Sequence, residues 1–266
     1  MALSGVITGK RQMPRRVLLY GTHGIGKSTW AASSPKPIVL QIEDGLDDIG
    51  VDRTPVLTET IEVARWLIEL SGDEDHGYQT VVIDSIDWLE RLIWKATCKE
   101  QGKKSIEEFG YGKGYVLAMR RWEQLLHMLD ACRGKGMNVI LLAHAKVERF
   151  TPPDNDPYDR WQLDVHKTVA PLLQEWADEV LFATYKVRTI SQDEGFGQKR
   201  TRALESAQRV VRTLEAPTHA AKRRIELPDE LPLSWKEYHG YWSSTNGTGN
   251  IKGMVKEGHS KERKVK

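Results

Sequence analysis

Four short apolar runs, at 17–20, 37–42, 80–83 and 138–143, recur along the first half of the chain with longer amphipathic stretches between them. The runs are apolar at consecutive positions, as in strands covered on both faces. At 58–70, Ile61, Ala64, Arg65 and Ile68 recur at helical spacing, with Thr58 placed to cap the start and Ser71-Gly72 to stop it. A second helical stretch covers 86–101. A third covers 115–132, carries Met119, Trp122, Leu125, Leu126 and Leu129 on one side, and ends at Gly134 and Gly136. Strands alternating with helices of this length predict parallel βαβ units with helices on both faces.

Beyond Ala143 the pattern changes. Residues 146–164 are polar and contain prolines, followed by a predicted helix at 167–177 and a strand at 179–184. Residues 185–190 and 207–214 then alternate as an antiparallel hairpin does, with 195–202 at its tip. The expected fold class is therefore α/β, a mostly parallel sheet with helices on both faces and a C-terminal antiparallel hairpin. No internal repeat is visible.

The first apolar run leads into Gly21-Thr22-His23-Gly24-Ile25-Gly26-Lys27-Ser28, which fits GxxxxGK[ST] at every fixed position, and Thr29 continues it into a helix that Pro35 ends. Glycines there let backbone N–H groups close around phosphate oxygens at a helix N-terminus. The loop predicts a bound nucleoside triphosphate, with Lys27 on the β- and γ-phosphates and the Ser28 hydroxyl on Mg²⁺. The run at 80–83 ends in Asp84, placed to hold Mg²⁺ through water as in a Walker B strand; a plain helix N-cap is the other reading. The run at 37–42 ends in Glu43-Asp44-Gly45, where Glu43, or alternatively Asp44, is a candidate general base for the attacking water; solvated loop carboxylates are the plainer reading. The run at 138–143 ends in His144, either structural or a donor to the γ-phosphate or to DNA-facing groups. Ligands of open α/β sheets bind where such strand ends converge.

Composition narrows the rest. No apolar run approaches the ~20 residues needed to cross a bilayer, and residues 1–16 lack the apolar stretch of a signal peptide, so a cytoplasmic protein with no membrane partner is expected. Cys98 and Cys132 lack CxxC spacing and read as reduced core thiols. The formal net charge of +2 is unevenly spread, because residues 244–266 carry +4 and the rest −2. That tail is also rich in Gly, Ser, Thr and Asn, and disorder is expected of it.

The order of these elements resembles the RecA-like ATPase core, the group that includes RadA, KaiC and DnaB, and within it phage ATP-binding proteins that act as single-strand annealing recombinases. Tyr111-Gly112-Lys113-Gly114-Tyr115, Gly136-Met137-Asn138 leading into Leu141-Leu142-Ala143-His144, and Glu175-Trp176-Ala177-Asp178-Glu179-Val180 extend the likeness. So does the 221–228 stretch, where Lys222 and Arg224 resemble the KxR element whose cations reach the γ-phosphate held by a neighbouring subunit. The resemblance implies a RecA-like P-loop NTPase core over residues 15–243, an N-terminal extension at 1–14 and a basic tail at 244–266. It also implies an ATPase using ATP and Mg²⁺, in the host cytoplasm if phage-encoded. Its partners would be single-stranded DNA, further copies of itself in a ring or filament with shared sites, and a single-stranded DNA-binding protein. DNA-binding loops would fall at 110–115, with Tyr111, Lys113 and Tyr115, and at 146–167, with Arg149 and Arg160. The latter segment has net charge −1, so it is not a basic patch; a polar lid is the competing reading of both. The sequence departs from the bacterial recombinases in carrying His144 where they usually carry glutamine, and residues 1–14 hold nothing comparable to the polymerisation motif of the RadA group. A DNA motor and a slow nucleotide-gated loader are the alternative functions.

Overall fold

The computed structural model describes residues 8–9, 11–153, 156–193 and 199–244, the side chains of 187–206 and 243–244 excepted. The tail at 245–266, the hairpin tip at 194–198 and most of the first ten residues lie outside the described residues.

The predicted apolar runs are neighbouring strands. β1 (Arg16–Gly21), β2 (Pro37–Gln41), β4 (Thr80–Asp84) and the first half of β5 (Asn138–Phe150) are all parallel, with the short β3 (Asp52–Arg53) at the edge. β7 (Glu179–Asp193) adds in parallel on the other side of β1 and turns into β8 (Lys199–Arg212) as an antiparallel hairpin, followed by β9 (Glu230–Pro232). The strand order is β3-β2-β4-β5-β1-β7-β8-β9, with β6 (Tyr158–Leu163) paired to β5 alone. The consecutive apolar residues of β1, β4 and β5 are buried on both faces, as their unbroken pattern requires. One face is covered by α2 (Thr60–Leu70), α3 (Ile86–Glu100), α4 (Lys113–Gly134) and α5 (Val169–Trp176). The other is covered by α1 (Lys27–Ala32) and α6 (Trp235–Ser244), whose Trp235 and Tyr238 pack on Trp30.

Three local expectations are corrected. In α2 the buried stripe is Val63, Leu67 and Leu70, while Ile61 and Ile68 are 53% and 62% exposed. Both stripes have helical spacing, and packing against α3 and α4 selects the one that faces them. The helix is capped from Glu62, whose carboxylate accepts the backbone N–H groups of Thr58 and Glu59 at 2.8 and 3.0 Å, so Thr58 is a recipient of the cap and not its source. The segment at 146–164 is largely a hairpin: β5 continues past the parallel sheet and pairs with β6, from Ala145 opposite Leu163 to Phe150 opposite Tyr158. Helix α6 had no counterpart in the sequence pattern, although Trp235, Tyr238 and Trp242 stand at helical spacing. Cys98 and Cys132 are buried free thiols. No described helix is long and apolar enough to cross a membrane.

Candidate active site

Strand register brings the predicted chemistry together. Gly21 lies opposite His144 across β1 and β5, Gln41 opposite Asp84 across β2 and β4, and Asp84 opposite Leu142 across β4 and β5. The C-terminal ends of four adjacent strands therefore present Glu43, Asp84, His144 and the phosphate loop along one edge. They line a cavity of about 300 Å³ together with Asp44, Leu46 and Ile49 of the loop after β2.

The loop leaves β1 at Gly21, where a Cβ would lie 2.4 Å from the carbonyl oxygen of Ala183 on β7; only glycine lets these strands close. Gly26 has φ +105° at the start of α1, and a Cβ there would meet the Arg209 guanidinium at 2.7 Å. Arg209, on β8, donates to the Ile25 carbonyl at 3.3 Å, buttressing the loop from the hairpin. No motif spacing announced it. Buried Lys27 donates to the Gly21 and Thr22 carbonyls at 3.1 and 3.0 Å. Burial lowers its pKa, a shift opposed by Asp84, Asp87 and Glu43.

Ser28 Oγ donates to Asp84 Oδ2 at 2.6 Å. Burial raises the pKa of Asp84, with Ser28 opposing and Glu43 reinforcing the shift. A hydroxyl and a carboxylate, both hard oxygen donors beside a phosphate loop, fit Mg²⁺, which when bound neutralises charge on the phosphate oxygens. Glu43 accepts from the Ser85 hydroxyl at 3.1 Å and its Oε2 lies 3.8 Å from His144 Nδ1. Asp44, by contrast, is exposed and accepts from Gln41 at 3.3 Å. His144 stacks on His23 of the phosphate loop, with centroids 3.8 Å apart and planes 19° apart. Glu43, His23 and His144 each bring a donor atom within 4.8 Å of the others.

Asp87, absent from the sequence-based site, is buried behind His144. It accepts both the His144 backbone N–H at 3.1 Å and a hydrogen bond from Nδ1 at 2.9 Å. The only sequence signal was a second carboxylate three residues after Asp84.

The residues predicted from resemblance are placed elsewhere. Lys222 bridges to Val180 near the start of β7, toward the sheet edge opposite the phosphate loop, and its ammonium donates to the carbonyls of Gln174, Glu175 and Ala177 at 2.9, 2.9 and 2.7 Å. Its three protons close the end of α5 in its own chain. Arg224 is half exposed and pairs with Asp178 at 3.0 Å. Arg160 is only 9% exposed, bound to Glu215 at 2.7 Å and to the His219 carbonyl at 3.1 Å. It clamps β6 to the segment at 215–219. Arg149 pairs with Asp159 at 3.6 Å in solvent. Tyr111 and Lys113 are exposed at the start of α4, and Tyr115 stacks on His166 at 3.9 Å.

A glycine loop from strand to helix, its lysine and serine, and an acidic strand end beside it define a P-loop NTPase, a nucleotide-hydrolysing class. The chain belongs to the AAA domain family, whose profile matches residues 13–225. It is also similar to the SPbeta prophage-derived uncharacterized protein YorG of Bacillus subtilis (strain 168), 26% identical over 140 residues. The match covers 50% of this chain and 42% of the relative, so it spans less than half of that protein's length.

Proposed function

We propose that this P-loop ATPase is a RecA-like phage recombination protein that binds MgATP, assembles on single-stranded DNA and promotes strand annealing or exchange. The observation that carries the ATPase part is the convergence of the phosphate loop, Ser28, Asp84, Glu43 and His144 at adjacent strand ends. Lys27 and the loop amides hold the triphosphate, Ser28 and Asp84 the Mg²⁺, and Glu43 takes the proton of the attacking water. His144 meets the γ-phosphate.

The prophage relative supports the phage setting. The DNA reading is supported by the exposed Tyr111 and Lys113 beside the Tyr115–His166 stack, aromatic and cationic groups of the kind that hold unpaired bases. His166 is tied to the ATPase side, since its backbone N–H donates to Glu90, one turn beyond Asp87 on α3. Arg224 is the residue available to cross to a neighbouring copy.

The test is ATP turnover with and without single-stranded DNA, alongside annealing of complementary strands and particle size. Turnover stimulated by DNA, with assembly on it, is the expected result. Failure of DNA to bind or to change the oligomeric state in ATP sinks the recombination reading. Directional unwinding would point to a motor, and ATP-dependent capture of a single-stranded DNA-binding protein with negligible turnover to a loader.

A further inference from the structure

We propose that Asp87 is the positioning residue of the hydrolytic site: it holds His144 with a proton on Nδ1 and its ring flat on His23, so that the bare Nε2 is left to accept a hydrogen bond from the water that attacks the terminal phosphate. The inference deepens the ATPase reading and rests on it. Asp87 lies in the first turn of α3, three residues past Asp84, and is buried as His144 is. One oxygen takes the His144 backbone N–H at 3.1 Å and the other lies 2.9 Å from Nδ1. This two-point hold fixes the strand end and the ring together.

Burial by itself would raise the Asp87 carboxyl, but the hydrogen bonds from the His144 ring and backbone outweigh it and keep the group below the usual carboxylate range. An ionised carboxylate only accepts hydrogen bonds, so the proton between the two groups sits on Nδ1. The face of the ring rests on His23 at 3.8 Å. The ring therefore cannot turn without breaking the Asp87 bond or leaving the stack. Glu43, 3.8 Å from Nδ1, together with Lys27 and Asp84, supplies the other charges around it. With Nδ1 committed to Asp87, Nε2 is the nitrogen left for a ligand, and the ring lines the nucleotide cavity. A histidine fixed in this way orients the attacking water beside the phosphate without reorganising during the reaction.

The test reads His144 itself. Ring ¹⁵N NMR of the full chain, assigned with His144→Gln, should show Nδ1 protonated. In Asp87→Asn the amide oxygen can keep the backbone N–H while the NH₂ faces Nδ1, so the proton should move to Nε2. Asp87→Asn should also lose about 10²-fold in kcat with nucleotide Kd within about twofold, and cost nothing further in the His144→Gln background. An unprotonated Nδ1 in the unsubstituted protein, wild-type kcat in Asp87→Asn, or losses that multiply in the double variant would each overturn the proposal. If Asp87→Asn does not fold, the spectrum of the unsubstituted protein decides. Absence of ATP turnover in the unsubstituted protein would instead strike the ATPase reading, and the ring's protonation would still be judged by NMR.

Discussion

In the proposed function Lys27 and Glu43 have separable duties, and substitution should separate them. The Lys27 ammonium sits on the Gly21 and Thr22 carbonyls, partners it can exchange for phosphate oxygens. Lys27→Ala should abolish measurable nucleotide binding by calorimetry or a fluorescent ATP analogue. Glu43 stands beside Ser85 and His144 in the cavity, whereas Asp44 lines its exposed rim and accepts from Gln41. Glu43→Gln should retain MgATP binding and lose at least about 10²-fold in turnover, the size expected of a lost general base. Turnover retained in that variant would move the base to Asp44. At this scale the sequence told most where a motif imposes spacing: the loop, Asp84 and the strand-end Glu43 were legible. Arg209 was not, because β8 comes beside the loop from nearly two hundred residues away, and Asp87 was not, because a helix-borne carboxylate has no signature until its partner is known.

Among the elements, α2 and α5 show how packing chooses between equal patterns. In α2 the exposed Ile61 and Ile68 and the buried Val63 and Leu67 are all apolar at helical spacing. Leu67→Ala should cost about 2–4 kcal/mol in urea unfolding, and Ile68→Ala less than about 1 kcal/mol. Equal costs would mean the helix is turned differently. Lys222 closes the carbonyl end of α5, so Lys222→Met should lower stability through unsatisfied carbonyls even in isolated monomers. Arg224→Ala should leave the fold intact and reduce turnover only under conditions where the protein assembles. Turnover lost equally in dilute monomer would count against a role between subunits.

For the whole molecule, the buried carboxyls make stability depend on pH. Burial pushes Glu179 up to about 7, against the pull of Arg15 at 3.3 Å, and Glu90 up to about 7 against its hydrogen bonds from the His166 backbone. A carboxyl raised on folding binds more protons in the native state than in the unfolded one between its unfolded value and about 7. Its stabilisation is present below the unfolded value and is lost as pH rises through about 7. The denaturation midpoint should therefore fall from pH 5 to pH 8, and Glu179→Gln should flatten that fall by on the order of 1–3 kcal/mol. An unchanged pH slope in Glu179→Gln would assign the ionisation elsewhere. MgATP should raise the unfolding free energy by about 3 kcal/mol at a hundred times its Kd, and not in Lys27→Ala.

By itself the sequence determined the parallel α/β core, the triphosphate loop and the identity of the strands that surround it, because strand burial and phosphate binding are written in short, local patterns. Tertiary structure decided which helix face is buried, that 145–150 and 158–163 pair as antiparallel strands, and which partners Arg160 and Lys222 meet in their own chain. It also decided that Asp87 stands behind His144. Each of these depends on which distant segment arrives as a neighbour, and a polar side chain's role follows from the partner that meets it.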